Sequence, residues 1–129
     1  MAKQLVVAIV GSRTLGEWDL VTAFVDHLMQ HYPEAKFISG GAKGVDAMAA
    51  YILREKHGVE VEVVKADWET NGNGAGYARN WRLVMKADLV AALWDGESKG
   101  TRHTLDAAAR MRRRICKWEV PALPKAEET

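Results

Sequence analysis

Three loops rich in glycine and hydroxyl side chains follow strand-like runs, and each has the composition of an anion cradle. Gly11-Ser12-Arg13-Thr14 ends the apolar run Leu5 to Val10, and Ser39-Gly40-Gly41-Ala42-Lys43-Gly44-Val45-Asp46 follows Phe37-Ile38. Trp94-Asp95-Gly96-Glu97-Ser98-Lys99-Gly100-Thr101 ends the run Leu89 to Leu93. Glycine lets a backbone approach a ligand closely, and the helix start after such a loop offers unpaired N–H groups and positive dipole. A phosphate is the natural guest. In the first cradle Arg13 could clamp phosphate through two N–H groups, with Ser12 and Thr14 donating hydroxyls. In the second, Ser39 and Lys43 reach toward oxygens while the amides from Gly41 to Val45 face the anion. Asp95, Gly96, Ser98, Gly100 and Thr101 build the third.

Each of these residues has a plainer reading. The 40–44 glycines lack both the Walker spacing and the G-x-G-x-x-G pattern, and tight turns alone would account for some of them. Asp46, in the first turn of a helix, either suits the dipole or holds ribose hydroxyls and activates water. Arg79 and Asn80 follow the loop 70–76 and fall in the first turn of the next helix. A cation there opposes the dipole, so a bound anion, or a surface ion pair, should compensate. On this reading Arg79→Ala weakens ligand binding and leaves folding little changed. His103, with its tunable pKa, and the carboxylates of Asp46 and Glu97 are the candidates for catalysis if a bond is broken. No metal site is expected. The dense basic run Arg110 to Arg114 ends a helix, where cations suit the dipole, and no aromatic rings are interleaved with it. Nucleic acid is therefore not an expected partner.

Positioning these loops requires strands and helices in alternation. Leu5 to Val10 and Leu89 to Leu93 are continuous apolar runs, as in strands buried on both faces. Lys36 to Ser39 is short, while Val59 to Val64 and Ile115 to Val120 alternate with period two, as in edge strands. Between them, Trp18, Val21, Phe24, Val25 and Leu28 form one helical stripe, Val45 to Leu53 another ending at Gly58, and Tyr77, Trp81, Val84 and Met85 a third. A fourth helix covers roughly Thr101 to Arg112. Such alternation predicts an α/β domain with helices on both faces of a parallel five-stranded sheet in the order 3-2-1-4-5. That order reverses between strands one and four, and open α/β sheets bind ligands at this switch point.

The chain has 129 residues, 48% hydrophobic and 27% charged, with a net charge of +1. That is one domain's length, and no global field draws in polyanions or membranes. No apolar stretch reaches the ~18 residues of a spanning helix. Residues 1–4 leave no room for a signal peptide, and Cys116 is the single cysteine. The expectation is a reduced, cytoplasmic protein. Five tryptophans are many for this length. Trp18, Trp68 and Trp81 suggest a subunit interface and hence a homo-oligomer.

Taken together, Val10 to Thr14, Ser39 to Asp46, Ala75 to Asn80, Ala87 to Gly96 and Gly100-Thr101 resemble the SLOG superfamily. This Rossmann-like group includes the Lonely Guy phosphoribohydrolases and Smf-type DNA-processing proteins. The chain is most similar to the small, single-domain YspA/YpsA-related branch. The resemblance implies a nucleotide-binding domain over 1–120 and dimers typical of the family, while Pro121, Pro124 and residues 125–129 read as a flexible tail over 121–129. It also implies a nucleotide or ADP-ribose-like ligand. Arg79 matches the arginine of the Lonely Guy enzymes, Asn80 replaces their lysine, and Ala87-Asp88 and Gly100-Thr101 match. Their catalytic glutamate falls at Thr104, which cannot serve as a base at neutral pH. The expected function is therefore binding or sensing of a phosphate-bearing nucleotide. The alternatives are a nucleotide N-glycosidase or phosphohydrolase and, more weakly, single-strand nucleic-acid binding through Arg110 to Arg114.

Overall fold

A computed structural model describes residues 4–120; the tail expected over 121–129 lies outside them. The strands are β1 (Val6–Gly11), β2 (Lys36–Ser39), β3 (Val61–Val63), β4 (Leu89–Trp94) and β5 (Arg114–Glu119). Between them lie α1 (Trp18–His31), α2 (Val45–His57), a one-turn α3 (Trp68–Asn71), α4 (Ala75–Lys86) and α5 (Lys99–Arg110). All strand pairs are parallel, in the order β3-β2-β1-β4-β5.

The sequence dictates this order through burial. Every residue of β4 is buried, as are the four middle residues of β1, so these two must be central. β3 and β5 carry exposed side chains such as Val63 and Ile115 and take the edges. Alternation along β1 then feeds two cores. Val7 and Ile9 pack with Phe24, Leu28, Val45 and Leu53 of α1 and α2. Ala8 and Val10 pack on the opposite face with Leu83, Val84, Ala107 and Ala108 of α4 and α5. Burying an aliphatic side chain of this kind contributes about 1.5–3 kcal/mol, so both helix layers are bound firmly to the sheet.

Two local expectations change. The segment 70–76 is not loop throughout: α3 runs into a 3-10 turn at Gly72–Gly74, and α4 begins at Ala75. Arg79 therefore stands in the second turn of its helix rather than the first, where the dipole is weaker. Trp18 also leaves its expected stripe; it is 52% exposed, against the ring of Tyr51.

Candidate functional site

At the carboxyl ends of β1, β2 and β4 lies a cleft of about 270 Å³. Gly11 and Arg13 line it from the loop after β1, and Gly40 and Ala42 from the loop after β2. Ser98, Gly100 and Thr101 line it from the start of α5, Asp46 from α2, and Arg79 and Asn80 from α4. The volume lies near the lower end of the ~300–1,000 Å³ usual for small-molecule sites.

The register places these loops side by side. Val7 to Gly11 pair with Leu89 to Leu93, so both central strands end at the same level. Ser12 then joins them. Its N–H donates to the Leu93 carbonyl (3.1 Å), its carbonyl accepts from Val45 N–H (3.3 Å), and its Oγ accepts from Asp95 N–H (3.0 Å). Gly44 has φ +79°, and a Cβ there would stand 2.6 Å from Arg13 Cα, so the α1 and α2 entry loops touch as only glycine permits.

Asp95 organises the third loop. One carboxylate oxygen accepts from the N–H groups of Glu97 and Ser98 (2.8 Å each), the other from Thr14 Oγ1 (3.0 Å). Burial alone would raise its pKa. The two backbone donors, with the Thr14 and Ser12 hydroxyls, outweigh that and hold it below the ordinary value. Ser12, Thr14 and Asp95 thus brace the site instead of lining it, and Ser39, whose Oγ accepts from Gly41 N–H at 3.2 Å, does the same. Gly41, Lys43, Gly44 and Gly96 also stand outside the lining, as do Glu97 and His103.

Arg79 and Asp46 carry the electrostatics. The partly buried guanidinium donates through Nη1 to the Gly40 carbonyl (2.6 Å) and through Nε to Asn80 Oδ1 (3.0 Å). Desolvation lowers its pKa, opposed by the nearby Asp46 charge. Asp46 is 6% exposed and its Oδ2 accepts from Ala42 N–H at 3.3 Å. Burial pushes its pKa up to about 6 against the Ala42 N–H, Arg79, Ser39 and Arg13, all of which favour the anion. The expectation that Arg79→Ala leaves folding little changed is corrected, because the buried Gly40 carbonyl would lose its donor.

The amino end of α5 completes the cleft. Ser98 occupies the N-cap position but makes no side-chain cap, so the first amides of α5 meet no capping oxygen. Thr104, where the resemblance to the Lonely Guy enzymes put their glutamate, lines the cleft and donates its hydroxyl to the Gly100 carbonyl (3.1 Å). His103 lies behind it, with its Nδ1 3.2 Å from Asn80 Nδ2 and its pKa lowered by burial, partly offset by Asp106.

Of the lining residues not expected from the sequence, two are aromatic. Trp68 and Tyr77, read from sequence as interface and stripe positions, line the cleft while 59% and 52% exposed. The spacing of Tyr77, Asn80 and Leu83 puts all three on one face of α4, a signal for Tyr77; nothing local marks Trp68. The tryptophans assigned to a subunit contact are scattered, with Trp18 beside Tyr51, Trp68 at the cleft and Trp81 beside His103. Among the described residues, no group of three or more His, Cys, Asp or Glu is placed to hold a metal. Nor is any helix among them long and apolar enough to cross a membrane.

A parallel sheet in this order, with a glycine-built cleft at its switch point, defines a Rossmann-like domain. The chain belongs to the YspA, cpYpsA-related SLOG family, whose model matches residues 5–70. It is 36% identical over 111 residues to the Gene 61 protein of Mycobacterium phage D29, covering 79% of this chain and 86% of that protein. Solved structures share the fold at low identity. DNA processing protein A from Streptococcus pneumoniae matches 93% of the chain at 19% identity and TM-score 0.75, and the chain spans 52% of its length. DNA processing protein A from Helicobacter pylori, described by its single-stranded DNA binding mode, matches 93% at 18% identity and TM-score 0.71, over 67% of its length. A molybdenum cofactor binding protein from Rippkaea orientalis matches 93% at 17% identity and TM-score 0.70, over 79% of its length.

These structures correct the expectation that set nucleic acid aside. The fold includes a protein described as binding single-stranded DNA. The reason for the error is physical. No aromatic rings accompany Arg110 to Arg114, whereas two exposed rings, Trp68 and Tyr77, line the cleft. The basic run itself sits at the other end of the sheet, where Arg112, Arg113 and Arg114 line a depression with Leu5 and Asp88. Arg113 caps α4 there, donating to the carbonyls of Val84 (3.2 Å) and Met85 (3.3 Å).

Proposed function

We propose that this chain binds a phosphate-bearing nucleotide or nucleotide-derived, ADP-ribose-like ligand in the cleft at the carboxyl ends of β1, β2 and β4. The observation that carries the reading is the convergence there of Arg13, Arg79 and the uncapped amino end of α5. Asp46 is the carboxylate among the lining residues, so two guanidinium charges and a helix dipole face one anion. Thermal-shift titration with nucleoside monophosphates, ADP-ribose, dinucleotides and cyclic nucleotides tests it. A ligand at 100 times its dissociation constant stabilises by about 2.7 kcal/mol. An unmoved melting point with every ligand at millimolar concentration would refute the reading.

A second reading, hydrolysis of a nucleotide N-glycosidic or phosphate bond, draws on Asp46. Of the candidates Asp46, Glu97 and His103, Asp46 lines the cleft, and a pKa of about 6 suits a base near neutral pH. Released base or phosphate that disappears in Asp46→Asn would favour this reading; intact nucleotide after prolonged incubation would dismiss it.

A further inference from the structure

The cleft is polar at its deep side and aromatic at its mouth. Trp68, on α3, and Tyr77, on α4, line it while leaving 59% and 52% of their surfaces to solvent. Large exposed rings are costly to leave wet, and these two come from different helices yet border one opening. Tyr77 is held in place: its ring lies 4.3 Å from that of His103, tilted by 37°, and His103 in turn meets the edge of Trp81 at 6.0 Å. The ring's freedom is already restricted before anything binds, which lowers the entropy lost on stacking. Arg79 lies two residues from Tyr77 on α4 and lines the same cleft.

We propose that Trp68 and Tyr77 form a stacking platform for a nucleobase whose attached phosphate sits among Arg13, Arg79 and the start of α5. This rests on the reading of the cleft as a phosphate-bearing nucleotide site and names how the base is recognised. Stacking reads the flat face that every base has, so the platform tolerates purines and pyrimidines alike. Base identity is read elsewhere or not at all. The same base-and-phosphate unit occurs in a free nucleotide and in a single strand, and the two sources differ in how much of the rim they cover.

Calorimetric titration of the full chain with AMP, UMP, ribose 5-phosphate and an oligodeoxythymidylate of about six nucleotides tests the platform. AMP and UMP should bind within a few-fold of each other and more tightly than ribose 5-phosphate. Trp68→Ala should weaken AMP by about 5- to 150-fold, the range of one base–aromatic stack, with ribose 5-phosphate unchanged. Tyr77→Ala should behave likewise, and Trp68→Phe should restore most of the affinity, which separates stacking from a folding defect. Tighter binding of the oligonucleotide than of AMP, lost in both alanine variants, assigns the platform to a strand. Equal or weaker oligonucleotide binding, with AMP lost in the same variants, assigns it to a free nucleotide. AMP affinity unchanged in both alanine variants overturns the platform but leaves the phosphate site standing. Failure of all four probes to bind overturns the platform, and together with an unmoved melting point for ADP-ribose, dinucleotides and cyclic nucleotides it overturns the site itself.

Discussion

Replacing Asp46 by asparagine should stabilise the protein at neutral pH, and only there. Asp46 is almost wholly buried, and burial raises its pKa from 3.8 to about 6 despite the Ala42 N–H and the nearby arginines. The folded state therefore holds this proton more tightly than the unfolded chain. Stability conferred by the proton is fully present below pH ~4 and is lost as pH rises through about 6. At about 1.36 kcal/mol per pH unit, the ionised carboxylate costs roughly 3 kcal/mol at pH 7. Asparagine imitates the neutral acid: its Oδ1 can still accept from Ala42 N–H. Urea unfolding of both proteins from pH 4 to pH 8 reads the difference directly, and taking the difference cancels the titration of other groups. The two should be nearly equal at pH 4 and diverge between pH 4 and 6, with the variant more stable by up to about 3 kcal/mol at pH 7. Parallel curves would show that folding leaves the Asp46 pKa unshifted, and a variant less stable at pH 7 than at pH 4 relative to wild type would show that the fold stabilises its anion; either result refutes the reasoning. A site that maintains such a cost without use would be unusual, since strongly perturbed groups cluster at functional sites.

Arg79→Ala should weaken nucleotide binding by about 1.5–3 kcal/mol and also destabilise the fold by about 1–3 kcal/mol, because Gly40 loses its donor; calorimetry and urea unfolding separate the two effects. Gly40→Ala would place a Cβ 2.8 Å from the Arg79 guanidinium, so the side chain should be displaced, affinity should fall several-fold, and the fold should lose up to about 1–3 kcal/mol by urea unfolding as the Gly40 carbonyl loses its donor. Gly44→Ala combines positive φ with a Cβ 2.6 Å from Arg13 backbone, and should cost more than about 2 kcal/mol by urea unfolding. Self-association is proposed through the exposed Trp18–Tyr51 pair; sedimentation should show an oligomer that Trp18→Ser converts to monomer, and a wild-type monomer at tens of micromolar would reject it.

The layered fold was readable because burial writes itself into period. Unbroken apolar runs marked β1 and β4 as central, alternation marked β3 and β5 as edges, and the switch point followed from that order. Loop chemistry placed Gly11, Arg13, Gly40 and Gly100 near one another for the same reason. What composition could not separate was a hydroxyl or carboxylate facing the cleft from one turned back on its own loop. Ser12, Ser39 and Asp95 have the right types but satisfy backbone groups instead, a choice fixed by approach distances between loops far apart in sequence. Trp68 was unreadable in a different way, since its place at the mouth depends on how α3 packs on α4 rather than on any local pattern.

The most direct test of the central claim is amide chemical-shift mapping of the labelled chain during titration with AMP. The account predicts saturable shifts concentrated at Gly40 to Val45 and Lys99 to Thr101, with the side-chain signal of Arg79 moving in step. Shifts confined to Arg110 through Arg114, at the opposite end of the sheet, or no shift at millimolar AMP, would contradict it.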